Sequence, residues 1–158
     1  MSNPNKDVID VLNDLIEYSK DGEKGFKESA DDVKNPQLKA FFKQRETDCA
    51  QAARELQAEV RHLGGDPETS TSFSGDLHRG WLNMKSMFTG KDEEAVLNTV
   101  EDGEDHALKA YKKAREKLAK INTPDALKAR NLVDGQLQGV QRNHDQVKTL
   151  RNAARAKS

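Results

Sequence analysis

The sequence of 158 residues has one cysteine, four prolines and few aromatic residues, which make up 5% of it. Because Cys49 has no second cysteine to pair with, an internal disulfide is excluded, and we expect a reducing, cytoplasmic compartment. No apolar run approaches the roughly 18 residues that a membrane-spanning helix needs. Residues 1–10 also lack the basic and apolar regions of a signal peptide. We therefore expect a soluble, unexported protein that does not bind a membrane.

The sequence also lacks a strong charge imbalance and the common catalytic motifs. Its formal net charge of −1 gives no general attraction to nucleic acid. It has no paired C-x-x-C, no H-E-x-x-H zinc motif and no glycine-rich phosphate loop. These absences leave no support for a conventional hydrolase or kinase. We expect no nucleic-acid partner, and the formation of a homo-oligomer stays open.

What the sequence does have is a series of long amphipathic patterns. The apolar and charged fractions are both 34%, which suits narrow hydrophobic stripes on helices better than a thick layered core. Helix-ending residues interrupt these stripes at three places, namely Asn35-Pro36, Gly64-Gly65 and Thr123-Pro124. The predicted helices cover about residues 6–33, 37–63, 93–121 and 125–152.

A long connection, residues 64–92, joins the two predicted helical hairpins. Its apolar residues, Trp81 among them, follow helical spacing and predict a short extra helix over about residues 76–88. A connection of this length can pass from one end of a bundle to the other, so that the second and third helices run parallel. We therefore expect one all-α domain over residues 1–158, an up-down-down-up four-helix bundle. Trp81 should pack on this bundle, and the alternative is a partner-binding face.

Two polar residues interrupt the apolar stripes of the third and fourth helices. Glu104 lies on the apolar line of the third helix, and His144 interrupts the corresponding line of the fourth. Both are similarly far from the turn at Thr123, so a rise of 1.5 Å per residue puts them within about 3 Å of the same height. We expect them to meet, because a buried carboxylate needs a positive partner, a metal ion or a raised pKa. Further along, Tyr111 should hydrogen-bond to Gln136.

The first hairpin has two glutamates at matching heights, Glu23 and Glu46, which we expect to join the same polar layer. Arg45 is the alternative inward residue to Glu46. The layer has two interpretations: a structural set of polar residues, or a metal site. In the second case the metal ligands are Glu23, Glu46, Glu104 and His144, with Cys49 as a further candidate.

Five segments carry a resemblance to a known family. They are LNDLIEYSKDGEKGF in the first helix, LQAEVRHLGGDP at the end of the second, LHRGWLNMKSMFTGKDEEAVL in the connection, EDGEDHALKAY in the third helix and NHDQVKTLR in the fourth. Together they resemble a bacterial family of four-helix bundles, classed as a domain of unknown function in the ferritin-like superfamily. The resemblance implies a small bacterial protein with a ferritin-like bundle, and some relatives are suspected of stress roles.

Ferritin-like di-iron proteins carry a glutamate on the first and third helices and an E-x-x-H motif on the second and fourth. Glu23 and Glu104 match the single glutamates, but Cys49 replaces the histidine of the second helix, and Gln141 replaces the glutamate of the fourth. Fewer carboxylates disfavour two irons, and cysteine favours zinc. We expect a non-enzymatic bundle whose polar layer is structural or binds one divalent metal, iron or zinc. The alternative is a degenerate metal-dependent oxidase or an iron-handling protein.

Overall fold

The computed structural model describes residues 3–69 and 93–157, and within these ranges the chain forms four α-helices and no strand. The helices are α1 (Lys6–Asp32), α2 (Pro36–His62), α3 (Glu93–Ala119) and α4 (Pro124–Lys157). None of these four is both long enough and apolar enough to cross a membrane. The short helix predicted over residues 76–88, with Trp81, lies outside the described residues.

Capping residues at the turns explain where the helices begin and end. Asn35 Oδ1 accepts hydrogen bonds from the N–H groups of the second and third residues of α2, at 2.9 and 3.3 Å. Thr123 Oγ1 accepts one from the N–H of the third residue of α4, at 3.1 Å. The other end of α2 is followed by Gly64, whose φ of 82° is a left-handed conformation that glycine adopts without strain.

Polar contacts between helix ends establish the direction of each helix. Asn35 Nδ2 donates to Glu93 Oε1 at 2.6 Å, which places the start of α3 beside the α1–α2 turn. Asn5 Nδ2 donates to Asp125 Oδ2 at 3.2 Å, which places the start of α4 beside the start of α1. The second and third helices are therefore parallel. The up-down-down-up topology expected from the sequence is confirmed.

Two apolar clusters fill the bundle, one toward each end. The cluster at the end where α1 begins includes Leu12, Ile16, Leu56, Leu118 and Val133. The cluster at the opposite end includes Phe26, Phe42, Leu97 and Val147. Buried polar side chains, among them Ser19, Arg45 and Glu104, lie along the helices between the residues of the two clusters. The bundle therefore has a polar layer at its middle, which is where the candidate site is found.

The last helix is longer than the sequence pattern indicates. It continues to Lys157 rather than ending near residue 152. In the added turn, Ala154 packs against the second apolar cluster, and Arg155 Nε donates to Glu94 Oε1 at 2.7 Å. No glycine or proline interrupts this stretch. Contacts with α3 therefore keep the helix ordered beyond the end of its amphipathic stripe.

Candidate metal centre

Glu104 lies inside the bundle, and its partner is an arginine. Its side chain is 3% exposed, and that of Arg45 on α2 is 6% exposed. Arg45 Nε donates to Glu104 Oε1 at 3.1 Å, and Arg45 Nη2 lies 3.0 Å from Oε1 and 3.3 Å from Oε2. A guanidinium that meets a carboxylate through two nitrogens compensates its charge well. The pair therefore bridges α2 and α3 across the middle of the bundle.

Further contacts hold the Arg45 side chain in place. Its Nη1 donates to Asp48 Oδ2 at 3.3 Å. The guanidinium carbon lies 5.2 Å from the centre of the Phe26 ring, within the range of a cation–π contact. Of the two inward candidates on this turn, Arg45 is buried and Glu46 is half-buried. The inward position of α2 is thus taken by a cation.

Burial controls the protonation of this layer. It raises the pKa of the Glu104 carboxyl, and the Arg45 guanidinium only partly opposes this rise. Burial alone lowers the pKa of Arg45, but the neighbouring Glu104 acts in the opposite direction and the net shift is upward. Cys49, which is beside this pair, has its pKa raised by burial from 9.0 to about 12. The layer therefore contains an arginine and a carboxyl that are mutually compensated, next to a neutral thiol.

Tyr111 lies between the polar layer and the apolar cluster at the end where α1 begins. Its hydroxyl donates to Gln136 Oε1 at 2.7 Å, which confirms the hydrogen bond expected from the sequence. Burial raises the pKa of this phenol, so the hydroxyl keeps its proton and remains a donor. This bond links α3 to α4.

His144 meets acids other than Glu104. Its Nε2 lies 2.7 Å from Asp105 Oδ1 and 3.9 Å from Glu101 Oε1. Glu101 and Asp105 are four residues apart on α3, so they project from the same side of that helix. One donor atom from each of the three residues lies within 4.8 Å of the other two. We refer to Glu101, Asp105 and His144 as the His144 cluster.

The geometry of the His144 cluster suits a cation. Nε2 of the histidine is buried, and its short contact with Asp105 does not have hydrogen-bond geometry. Arg151 Nη1 donates to Oε2 of Glu101, which leaves Oε1 on the side facing the imidazole. His144 Nδ1 lies 3.5 Å from Asp145 Oδ1, a contact that orients the ring. All three cluster residues are partly exposed, so an ion can reach them from solvent.

The structure does not gather the ligands expected from the sequence into one site. Within residues 3–69 and 93–157, the only group of three or more potential ligands is the His144 cluster. His144 is the one member of the expected set that belongs to it. Glu101 and Asp105 were not among the residues expected from the sequence, although their four-residue spacing beside Glu104 was a usable signal. The expected ligands that lie outside the cluster are Glu23, Glu46, Glu104 and Cys49.

The residues at the middle of the bundle do not fit the di-iron centre that a ferritin-like fold implies. Two irons need several carboxylates around them, with a net negative charge to balance the metals. Here Arg45 places a guanidinium in that layer, and both oxygens of Glu104 face it. Where the E-x-x-H motifs would supply a histidine and a glutamate, the chain has Cys49 and Gln141.

Comparison with known proteins agrees with the fold. A solved structure described as "ferritin like, diiron-carboxylate proteins from Bacillus anthracis str. Ames" matches with a TM-score of 0.73 and 20% sequence identity. The match covers 95% of this chain and 99% of that chain, and at this identity it shows the fold alone. No curated protein matches the sequence. The family described as "Domain of unknown function (DUF2383)" matches residues 7–117. The chain therefore belongs to the DUF2383 family, and its fold is similar to that of a ferritin-like protein.

Proposed function

We propose that this protein is a metal-binding helical bundle that holds one divalent ion at the His144 cluster and does not catalyse di-iron oxidation. The observation that carries the proposal is the convergence of donor atoms from Glu101, Asp105 and His144 to within 4.8 Å of one another. Two carboxylates and one imidazole form a donor set that Zn²⁺, Mn²⁺ and Fe²⁺ all accept. The cytoplasmic location and the stress role expected from the sequence stay predictions.

Electrostatics favours the His144 cluster over the middle of the bundle as the place for a cation. In the central layer, Arg45 already neutralises Glu104, so an added cation meets a guanidinium before it meets a free carboxylate. At the cluster, two carboxylates face one imidazole, and Arg151 neutralises only part of their charge. An ion held there bridges α3 and α4, so binding should stabilise the folded protein.

Metal titration of the EDTA-treated, tag-free protein tests this proposal. We expect Zn²⁺ to bind with one site per chain in isothermal titration calorimetry, and His144→Gln to weaken its affinity at least tenfold. His106→Gln is the matched control, because His106 is an exposed histidine next to Asp105 in sequence and outside the cluster. The control should bind like the wild type. Equal affinities for His144→Gln and the wild type would overturn the proposed site.

A separate measurement tests whether the protein has di-iron oxidase activity. Anaerobic protein loaded with Fe²⁺ and then exposed to air should oxidise iron no faster than buffer that contains the same iron. Oxidation of two irons per chain, lost in Glu104→Gln, would contradict the proposal. That result would favour the alternative function, a metal-dependent oxidase or an iron-handling protein with ligands in the central layer.

A further inference from the structure

A cavity of about 630 Å³ opens beside the Arg45–Glu104 pair. All four helices contribute to its lining, and its exposed lining residues come from α2 and α4. The cavity therefore opens to solvent between these two helices. Its volume lies within the range of roughly 300–1,000 Å³ that is usual for small-molecule sites.

Two glycines in the helices keep this space open. A Cβ atom added to Gly103 or Gly135 would meet nothing within 4 Å. Glycine is unfavourable in a helix relative to alanine, and here no close packing requires it. Gly22 differs, because a Cβ there would lie 2.8 Å from Cys49 Sγ. The first two glycines therefore have the effect of leaving room in the cavity, whereas the third permits close contact between α1 and α2.

The chemistry of the cavity wall indicates what it can hold. The charges nearest its floor, Arg45 and Glu104, already compensate each other, so neither an anion nor a cation gains a free counter-charge there. The Tyr111–Gln136 hydrogen bond satisfies the polar groups on one side. The remaining wall includes the apolar side chains of Phe26, Val100, Leu132 and Val140, and the exposed polar side chains of the lining lie at its opening to solvent, namely Gln51, Glu55, Asn131 and Arg142. A ligand that buries apolar surface without carrying a charge fits these walls best.

We infer that the cavity between α2 and α4 is a binding site for a small, uncharged and mainly apolar organic molecule. This site is separate from the His144 cluster and does not depend on the metal proposal. It is built in the central layer, beside the Arg45–Glu104 ion pair.

Fluorescence titration with N-phenyl-1-naphthylamine, a neutral dye that brightens in apolar surroundings, tests the site. We expect saturable binding of one dye per wild-type chain. Gly103→Leu and Gly135→Leu fill the cavity from α3 and α4, and each should weaken binding at least tenfold without lowering the melting temperature. Ala153→Leu places the same side chain at an exposed position of α4 and should bind the dye like the wild type.

Two outcomes overturn the inference. One is the absence of saturable dye binding to the wild type. The other is undiminished binding to the folded Gly103→Leu and Gly135→Leu variants, which would place the dye on another surface. Because the two glycines are on different helices, the misfolding of one variant leaves the other as the test. Dye binding should be the same in EDTA and in His144→Gln, so its result is independent of the metal titration.

Discussion

Replacement of Arg45 by methionine should destabilise the protein strongly at neutral and alkaline pH. Methionine keeps much of the side-chain volume but leaves Glu104, which is 3% exposed, without the guanidinium that faces it. Removal of one member of a buried ion pair costs about 3–5 kcal/mol because the other charge stays buried. Domains are commonly stable by about 5–15 kcal/mol, so the loss is a large part of the total. We expect Arg45→Met to lower the free energy of unfolding by about 3–5 kcal/mol at pH 8.

The cost should be smaller in acid, because Glu104 can take up a proton. Burial raises the pKa of this carboxyl even when Arg45 is present, and loss of the guanidinium raises it further. A carboxyl whose pKa is higher in the folded state binds its proton more tightly there. The stability that this tighter proton binding contributes is greatest below pH 4.5, the pKa of Glu104 in the unfolded chain. It is lost as the pH rises through the higher pKa of the folded state. Arg45→Met should therefore be closer to the wild type at pH 5 than at pH 8.

A double-mutant cycle with Glu104→Met isolates the interaction between the two side chains. Glu104→Met alone should cost less than Arg45→Met, because the arginine retains its contacts with Asp48 and Phe26. Replacement of both charges by apolar side chains of similar size is often close to neutral. We expect the double variant to lie within about 1 kcal/mol of the wild type, which gives a coupling energy of at least about 2 kcal/mol.

Urea unfolding followed by circular dichroism at pH 5 and pH 8 measures these free energies. Lys6→Met is the control, because it removes an exposed ion pair with Asp10 and should leave the unfolding midpoint nearly unchanged. Additive effects of the two substitutions would refute the conclusion that Arg45 and Glu104 form a coupled buried pair. A loss in Arg45→Met that is equal at both pH values would refute the role assigned to the Glu104 proton.

Three further experiments test other parts of the structure. Gly103→Ala should raise the free energy of unfolding by about 1 kcal/mol. Gly22→Ala should bring no gain, because the added Cβ would lie 2.8 Å from Cys49 Sγ, and the gain should return when Cys49→Ala removes that sulfur. Urea unfolding of the three variants measures these differences. Alkylation of Cys49 by iodoacetamide at pH 8 should be about a thousandfold slower in the folded than in the unfolded protein. The reason is that a pKa rise from 9.0 to about 12 lowers the thiolate fraction by about that factor. Equal rates in a mass-spectrometric time course would contradict this expectation. Asn35→Ala should cost about 1 kcal/mol through loss of the cap of α2, and an unchanged melting temperature would contradict that role.

The fold is readable from the sequence because its signals are local. Asn35 and Thr123 each precede a proline, and their side chains cap the helix that begins there. Gly64 ends a helix because glycine adopts a positive φ without strain. The topology is also readable, because a connection as long as residues 64–92 allows the second hairpin to begin at the far end of the first. The extension of α4 to Lys157 was not predicted, since it depends on contacts with another helix.

The burial of Glu104 and the level of the polar layer were likewise determined by the sequence, because the period of a helix and its rise per residue assign each residue a face and a height. Which side chains meet within that layer was decided by the tertiary structure alone. Neighbouring positions such as Arg45 and Glu46 differ by about 100° around α2, so a helix rotation of about half that angle changes which of them is nearer the bundle axis. The same applies to His144, whose height matches Glu104 but whose direction brings it to Asp105. Helix rotation results from the packing of whole apolar faces, and no local pattern specifies it.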